Sequence, residues 1–133
     1  MSGTTPWQGR FDDTRTATLD FNLHRIPDGA QFQTTGIIDT GFTGFVQIPM
    51  STGEVLGYVG EPRRYAKSFL ANGEEQKVIV TLANVTVGRE TRKGLCSIPL
   101  PDDSLTLIGM DFLRRFQRKL IISYRTGIRL EVD

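Results

Sequence analysis

From Lys77 to Val87 the chain runs eleven residues without a glycine or proline, and seven of them are β-branched. Val78, Val80 and Leu82 alternate with Ile79 and Thr81. Side chains branched at Cβ lose rotamer freedom in a helix and pack well on a pleated sheet. Alternation with period two puts the two sets on opposite faces of a strand. A long strand here is the firmest element in the sequence, and the composition extends the same bias to the whole chain. Val, Ile and Thr supply 33 of the 133 residues, Ala only 5, and 14 Gly with 6 Pro break the chain at short intervals. A mainly β domain with many short strands follows.

The other segments fit that frame. Thr16 to Leu23 alternates, with Ala17, Leu19, Phe21 and Leu23 on one face. Pro27-Asp28-Gly29 then makes a turn into a second strand, Gln31 to Ile38. Phe45 to Ile48 is a short strand ended by Pro49. Ser51 and Glu54 stand at capping-box spacing, which predicts a turn or two of helix through Leu56 with Ser51 as N-cap. Tyr65 to Leu70 is extended, and Asn72-Gly73 predicts a tight hairpin into the Lys77 strand. Leu95 to Leu100 and Leu105 to Ile108 read as strands, and Met110 to Phe116 as a short helix. Leu120 to Tyr124 and Ile128 to Val132 are strands joined through Arg125-Thr126-Gly127. Residues 1–14 read as a polar N-terminal arm and 15–133 as one domain.

Charge and residue counts exclude several functions. Lys and Arg number 16 and Asp and Glu 15, a net charge of +1, where a nucleic-acid-binding domain carries a basic excess. The basic cluster Arg114, Arg115, Arg118 and Lys119 reads as a solvated helix face. A single cysteine, Cys96, forms no internal disulfide, and with the single histidine, His24, it cannot make a His/Cys zinc site. Both read as structural. No run of 18 apolar residues is present, so no membrane span is expected. The polar start has no apolar signal-peptide core, which makes the cytoplasm the expected location.

Ile37-Ile38-Asp39-Thr40-Gly41 puts a carboxylate at the end of an apolar strand, where it is costly unless hydrogen-bonded. A turn alone accounts for such a triplet, since Asp, Thr and Gly all favour strand ends. A second apolar–apolar–glycine group, Leu107-Ile108-Gly109, stands about 70 residues downstream ahead of the helix. The two motifs, with a hairpin between them, resemble the retropepsin-like aspartic proteases over roughly residues 15–132.

That resemblance implies a closed β-barrel with a flap hairpin and one short C-terminal helix, working as a homodimer. It implies Asp39 as the catalytic carboxylate, with Thr40 and Gly41 in the active-site loop. Leu70, Ala71, Asn72 and Gly73 would form the flap over a polypeptide substrate, and Leu107, Ile108 and Gly109 the structural support. The chemistry implied is attack by a water held between the Asp39 carboxylates of two copies, with no metal or cofactor. Asp111 is expected to support structure at the helix start. The chain ends, Arg129 to Val132 above all, are expected to interlock between copies. Phe42 departs from the family pattern, standing where retroviral relatives carry Ala or Ser, and the flap is not glycine-rich. Two alternatives stay open: a barrel kept for binding or dimerisation without turnover, and a small nucleic-acid-binding barrel resting on Arg114 to Lys119.

Overall fold

The computed structural model describes residues 5–26, 29–58, 64–69, 73–100 and 105–133. Within them the strands are β1 (Trp7–Phe11), β2 (Ala17–Arg25), β3 (Gln31–Ile38), β4 (Val46–Gln47), β5 (Arg64–Phe69), β6 (Glu75–Val87), β7 (Glu90–Leu100), β8 (Leu107–Ile108), β9 (Arg118–Ser123) and β10 (Gly127–Val132). The helices are α1 (Met50–Leu56) and α2 (Met110–Phe116).

The long strand expected at the centre of the sequence is β6, and it organises the sheet. One of its edges pairs with β7 throughout, Lys77 with Leu100 to Val87 with Glu90. Its other edge is shared. Residues 75–80 pair with β5, and residues 83–86 pair with β2. The β2–β6 seam closes the order β6-β7-β4-β8-β3-β2 into a six-stranded barrel. The β5–β6 hairpin projects from that barrel, and β1, β10 and β9 continue the sheet beyond β2.

Burial follows the alternation. Leu19, Phe21 and Leu23 of β2 are at most 2% exposed, as are Ile79, Ala83 and Val85 of β6. The opposite face of β6 turns outward, and Leu82 there is 45% exposed. Phe45, Phe112 and Phe116 close the core at α2, and Trp7 meets Phe116 edge-on at 5.0 Å between ring centroids.

Three local expectations need correction. Residues 7–11, expected within a polar arm, form β1, which pairs with β2 on one edge and β10 on the other. Trp7 is an anchor that polarity counts do not reveal. The helix after Pro49 starts at Met50 with Pro49 itself at the N-cap, so Ser51 lies inside the first turn and caps nothing. Pro49, at φ −71° and ψ 160°, delivers the chain directly into the helix. The hairpin expected at Asn72-Gly73 joins β5 to β6, with Phe69–Glu75 the last register pair among the described residues; Asn72 lies outside them. Gly73 does take the positive φ expected of it, 85°. Finally, β10 is hydrogen-bonded on both edges by strands of its own chain, β1 and β9. Leu130 and its neighbours therefore do not offer a free edge for interlocking.

Arg118 ties this terminal sheet together. Its side chain is 1% exposed and pairs with Glu90 of β7, itself 13% exposed. The guanidinium also donates to the carbonyls of Thr5 (3.0 Å) and Leu130 (3.1 Å) and lies 4.0 Å from the Trp7 ring centroid. Of the basic cluster only Arg118 is buried; Arg114 and Lys119 are exposed as expected, and Arg114 and Arg115 bond Asp111 at the helix surface.

Two predictions follow from this packing. Arg118→Met should cost about 3–5 kcal/mol in urea unfolding, because it removes a buried guanidinium from Glu90 and leaves that mostly buried carboxylate with Arg92 alone at 3.6 Å, and adding Glu90→Gln should recover part of the loss. Cys96 is fully buried, and burial alone pushes its thiol up to about 12. Native protein at pH 8 should therefore not react with a thiol-disulfide reagent, while denatured protein should release one equivalent per chain.

Candidate active site

Strand β3 ends at Ile38, and the chain then turns through residues 39–45 into β4. Between β3 and β4 lies β8, parallel to β3 and antiparallel to β4. The register matches the two sequence motifs residue for residue: Ile37 with Leu107 and Ile38 with Ile108. A third strand inserted here holds the two strands apart and forces the Asp39 loop to arch over the end of β8.

Main-chain bonds pin the arch. The N–H of Asp39 donates to Ile108 O (2.9 Å), Gly109 N–H to Phe45 O (3.2 Å), Met110 N–H to Phe42 O (2.9 Å) and Asp111 N–H to Gly44 O (3.1 Å). Helix starts leave N–H groups without helical partners, and here the loop's carbonyls take those of Met110 and Asp111. Gly109 is needed for this contact. A Cβ on it would fall within 2.5 Å of the carbonyl oxygens of both Phe42 and Gly44. Phe42 lays its ring over Gly44 and Gly109, so this departure from the family pattern is a packing device under the loop. Gln47 adds a side-chain bond to Leu105 O at 3.1 Å, fastening β4 to the segment that enters β8.

At the crest, Asp39 is half-buried and its Oδ1 accepts the N–H of Gly41 at 2.9 Å. Thr40 and Gly41 are exposed. The structure therefore brings Asp39, Thr40, Gly41, Leu107, Ile108 and Gly109 into one motif. Of the expected flap residues, Gly73 is exposed at the end of the β5–β6 hairpin, while Leu70, Ala71 and Asn72 lie outside the described residues. No group of three or more His, Cys, Asp or Glu able to hold a metal ion occurs among the described residues. Reading the sequence missed the Phe42, Gly44 and Phe45 carbonyls that hold the arch. Backbone acceptors leave no residue-type signal, although the second glycine of Gly41-Phe42-Thr43-Gly44 was a hint of close packing.

Asp111 serves the arch from below. Its carboxylate accepts from Arg115 Nε (2.6 Å) and Arg114 Nε (2.8 Å) within α2. Partial burial raises its pKa, but the two arginines outweigh that and hold it below the usual carboxylate range. A lowered folded value gives stability that is present above the ordinary aspartate value and lost as pH falls through the lower one. Asp111→Asn should thus be less stable than the parent at pH 7. The gap should close as pH drops below about 3.9, the unfolded aspartate value, in parallel thermal melts.

No family model and no curated protein sequence matches the chain. Solved structures do. A retropepsin-like aspartic protease from Rickettsia conorii superposes with a TM-score of 0.71 at 16% identity, over 96% of this chain and 90% of that one. EIAV protease, in complex with the inhibitor HBY-793, superposes with a TM-score of 0.61 at 15% identity, over 84% of this chain and 98% of that one. The six-stranded barrel, the arch over β8 and the short helix behind it are those of a retropepsin-like fold.

Proposed function

We propose that this chain is an aspartic endopeptidase that works as a homodimer. The observation that carries the reading is the arch itself. An Asp-Thr-Gly crest, exposed at Thr40 and Gly41, is pinned by four backbone bonds to the second motif and the first residues of α2, in a fold whose solved neighbours are aspartic proteases.

One chain supplies one such carboxylate. Aspartic chemistry needs two, close enough to share a proton, because like charges at short range cannot both ionise readily. The second is the partner's Asp39, brought opposite by a two-fold axis. The ionised member takes a proton from a water held between the pair, and the protonated member donates to the scissile carbonyl oxygen. Water attacks the carbonyl carbon to give a tetrahedral diol. Proton transfer to the amide nitrogen then breaks the C–N bond and restores the pair. Gly41 N–H, bonded to Asp39 Oδ1, fixes the carboxylate for this work. The substrate is an extended polypeptide covered by the β5–β6 hairpin, which would exclude water and commit it to reaction.

The test is cleavage of a diverse peptide library between about pH 3 and 8, the range over which carboxylates and their neighbours change charge. Asp39→Asn should lower turnover by at least about 10³-fold, the scale of removing one member of a catalytic unit, with the melting temperature preserved. A peptide carrying a tetrahedral-intermediate mimic should inhibit the parent. Equal behaviour of parent and Asp39→Asn would instead favour a barrel that binds without turnover.

A further inference from the structure

The net charge of +1 conceals a segregation. Residues 89–93 and 111–119 hold seven basic and two acidic side chains, and the rest of the chain nine basic and 13 acidic. The fold brings these two segments together, one from the β6–β7 turn and the start of β7, the other from α2 and the start of β9. Arg115 donates to Lys93 O at 3.0 Å, Arg92 donates to Arg115 O at 3.1 Å, and Arg118 pairs with Glu90.

Both carboxylates of the patch are engaged within it and are less exposed than the cations at its surface. The Glu90 side chain is 13% exposed and holds the buried Arg118. That of Asp111 is 21% exposed and accepts from Arg114 and Arg115, which are 68% and 37% exposed. Arg92, 38% exposed, meets Glu90 only at 3.6 Å and otherwise donates to the carbonyls of Thr91 and Arg115. A carbonyl takes an N–H without cancelling the charge that carries it. Arg89, Lys93 and Lys119 are exposed and have no side-chain partner among the described residues. A groove of about 370 Å³, lined in part by Arg89, Arg92 and Gln117, opens within the patch.

We propose that this patch binds an acidic segment of a polypeptide, at a site that shares no residue with the Asp39-Thr40-Gly41 crest. The planar guanidinium fork matches a carboxylate in two-point hydrogen bonding, and three partly exposed arginines held by one another's elements are set for it in advance. A nucleic acid fits less well on two counts. The rings under the patch, Phe116 and Phe45, are 2% and 1% exposed beneath Arg92 and Arg115, so neither offers a face for base stacking. A long polyanion also meets the acidic excess of the rest of the chain, whereas a short acidic segment stays within the patch. Binding here goes beyond the peptidase reading and does not depend on it.

Fluorescence anisotropy of a labelled oligoglutamate peptide, titrated with the full chain, tests it; the Asp39→Asn protein is used so that cleavage plays no part. Binding should weaken as salt rises, since screening sets in at about 8 Å at physiological ionic strength. Arg89→Glu with Arg114→Glu reverses two exposed charges and should weaken binding at least about tenfold, as several surface charge pairs are lost together. Arg125→Glu, the same reversal at the exposed β9–β10 turn, should leave it within about twofold. Carbodiimide coupling should join the bound peptide to Lys93 or Lys119, and that result decides should the double variant fail to fold. No binding at low salt overturns the proposal, as does equal weakening by Arg125→Glu or coupling at Lys67 or Lys77. Tighter binding of an oligothymidylate of equal charge overturns it in favour of a nucleic acid. Absence of cleavage by the parent would count against the peptidase reading alone, since peptide capture here makes no use of Asp39.

Discussion

The rest of the molecule depends on a strand of two described residues. Leu107 and Ile108 stand between β3 and β4 and hydrogen-bond to both. Without β8 there is nothing to fill the gap between β3 and β4, and the barrel order has no link between them. With it, the loop from Asp39 to Phe45 must span a strand's width and expose its crest. The carbonyls on the underside of that loop meet the N–H groups that open α2. Barrel closure and the display of Asp39 are therefore one structural event. Gly109 makes the close approach possible, and the Phe42 ring fills the space beside it.

Behind the arch, α2 converts this backbone arrangement into packing. Phe112 and Phe116 stack with Phe45 at 5.8 Å and 6.4 Å between ring centroids, linking the helix to the end of the loop. Trp7 reaches the same rings from the first strand. Local perturbation of the terminal sheet thus touches the aromatic cluster that backs the arch, by direct contact and over few residues. Arg92 and Arg115 lean over Phe116 and Phe45, adding cation–π contact at the rim of the cluster.

What the sequence disclosed was whatever depends on neighbours along the chain. Alternation at Ala17 to Leu23 and at Val78 to Val87 located β2 with its buried face and β6 with its two faces, because period two is a local property; which face of β6 is buried came from the structure. The pairing of Ile37-Ile38 with Leu107-Ile108 was legible only as two similar motifs, and the structure turned the similarity into a shared register. What stayed hidden was edge occupancy. Residues 128–132 read as a strand, but nothing in Arg129-Leu130-Glu131-Val132 says that β1 and β9 already hold both its sides. Trp7 sits among polar residues and looked like part of an arm, although one large ring outweighs many small polar neighbours in a core. At Ser51-Glu54 the capping spacing was sound chemistry that Pro49 pre-empted two residues earlier.

The adjacency of β1 and β10 has a mechanical meaning. Trp7 pairs with Leu130 and Gly9 with Ile128, so the start of one strand lies beside the end of the other. Tension applied through the two ends loads this ladder as a zipper, one pair at a time, and not in shear. At the mouth of the zipper is Arg118, holding the carbonyls of Thr5 and Leu130 and stacked on Trp7. Separation of β1 from β10 at this end begins at that guanidinium.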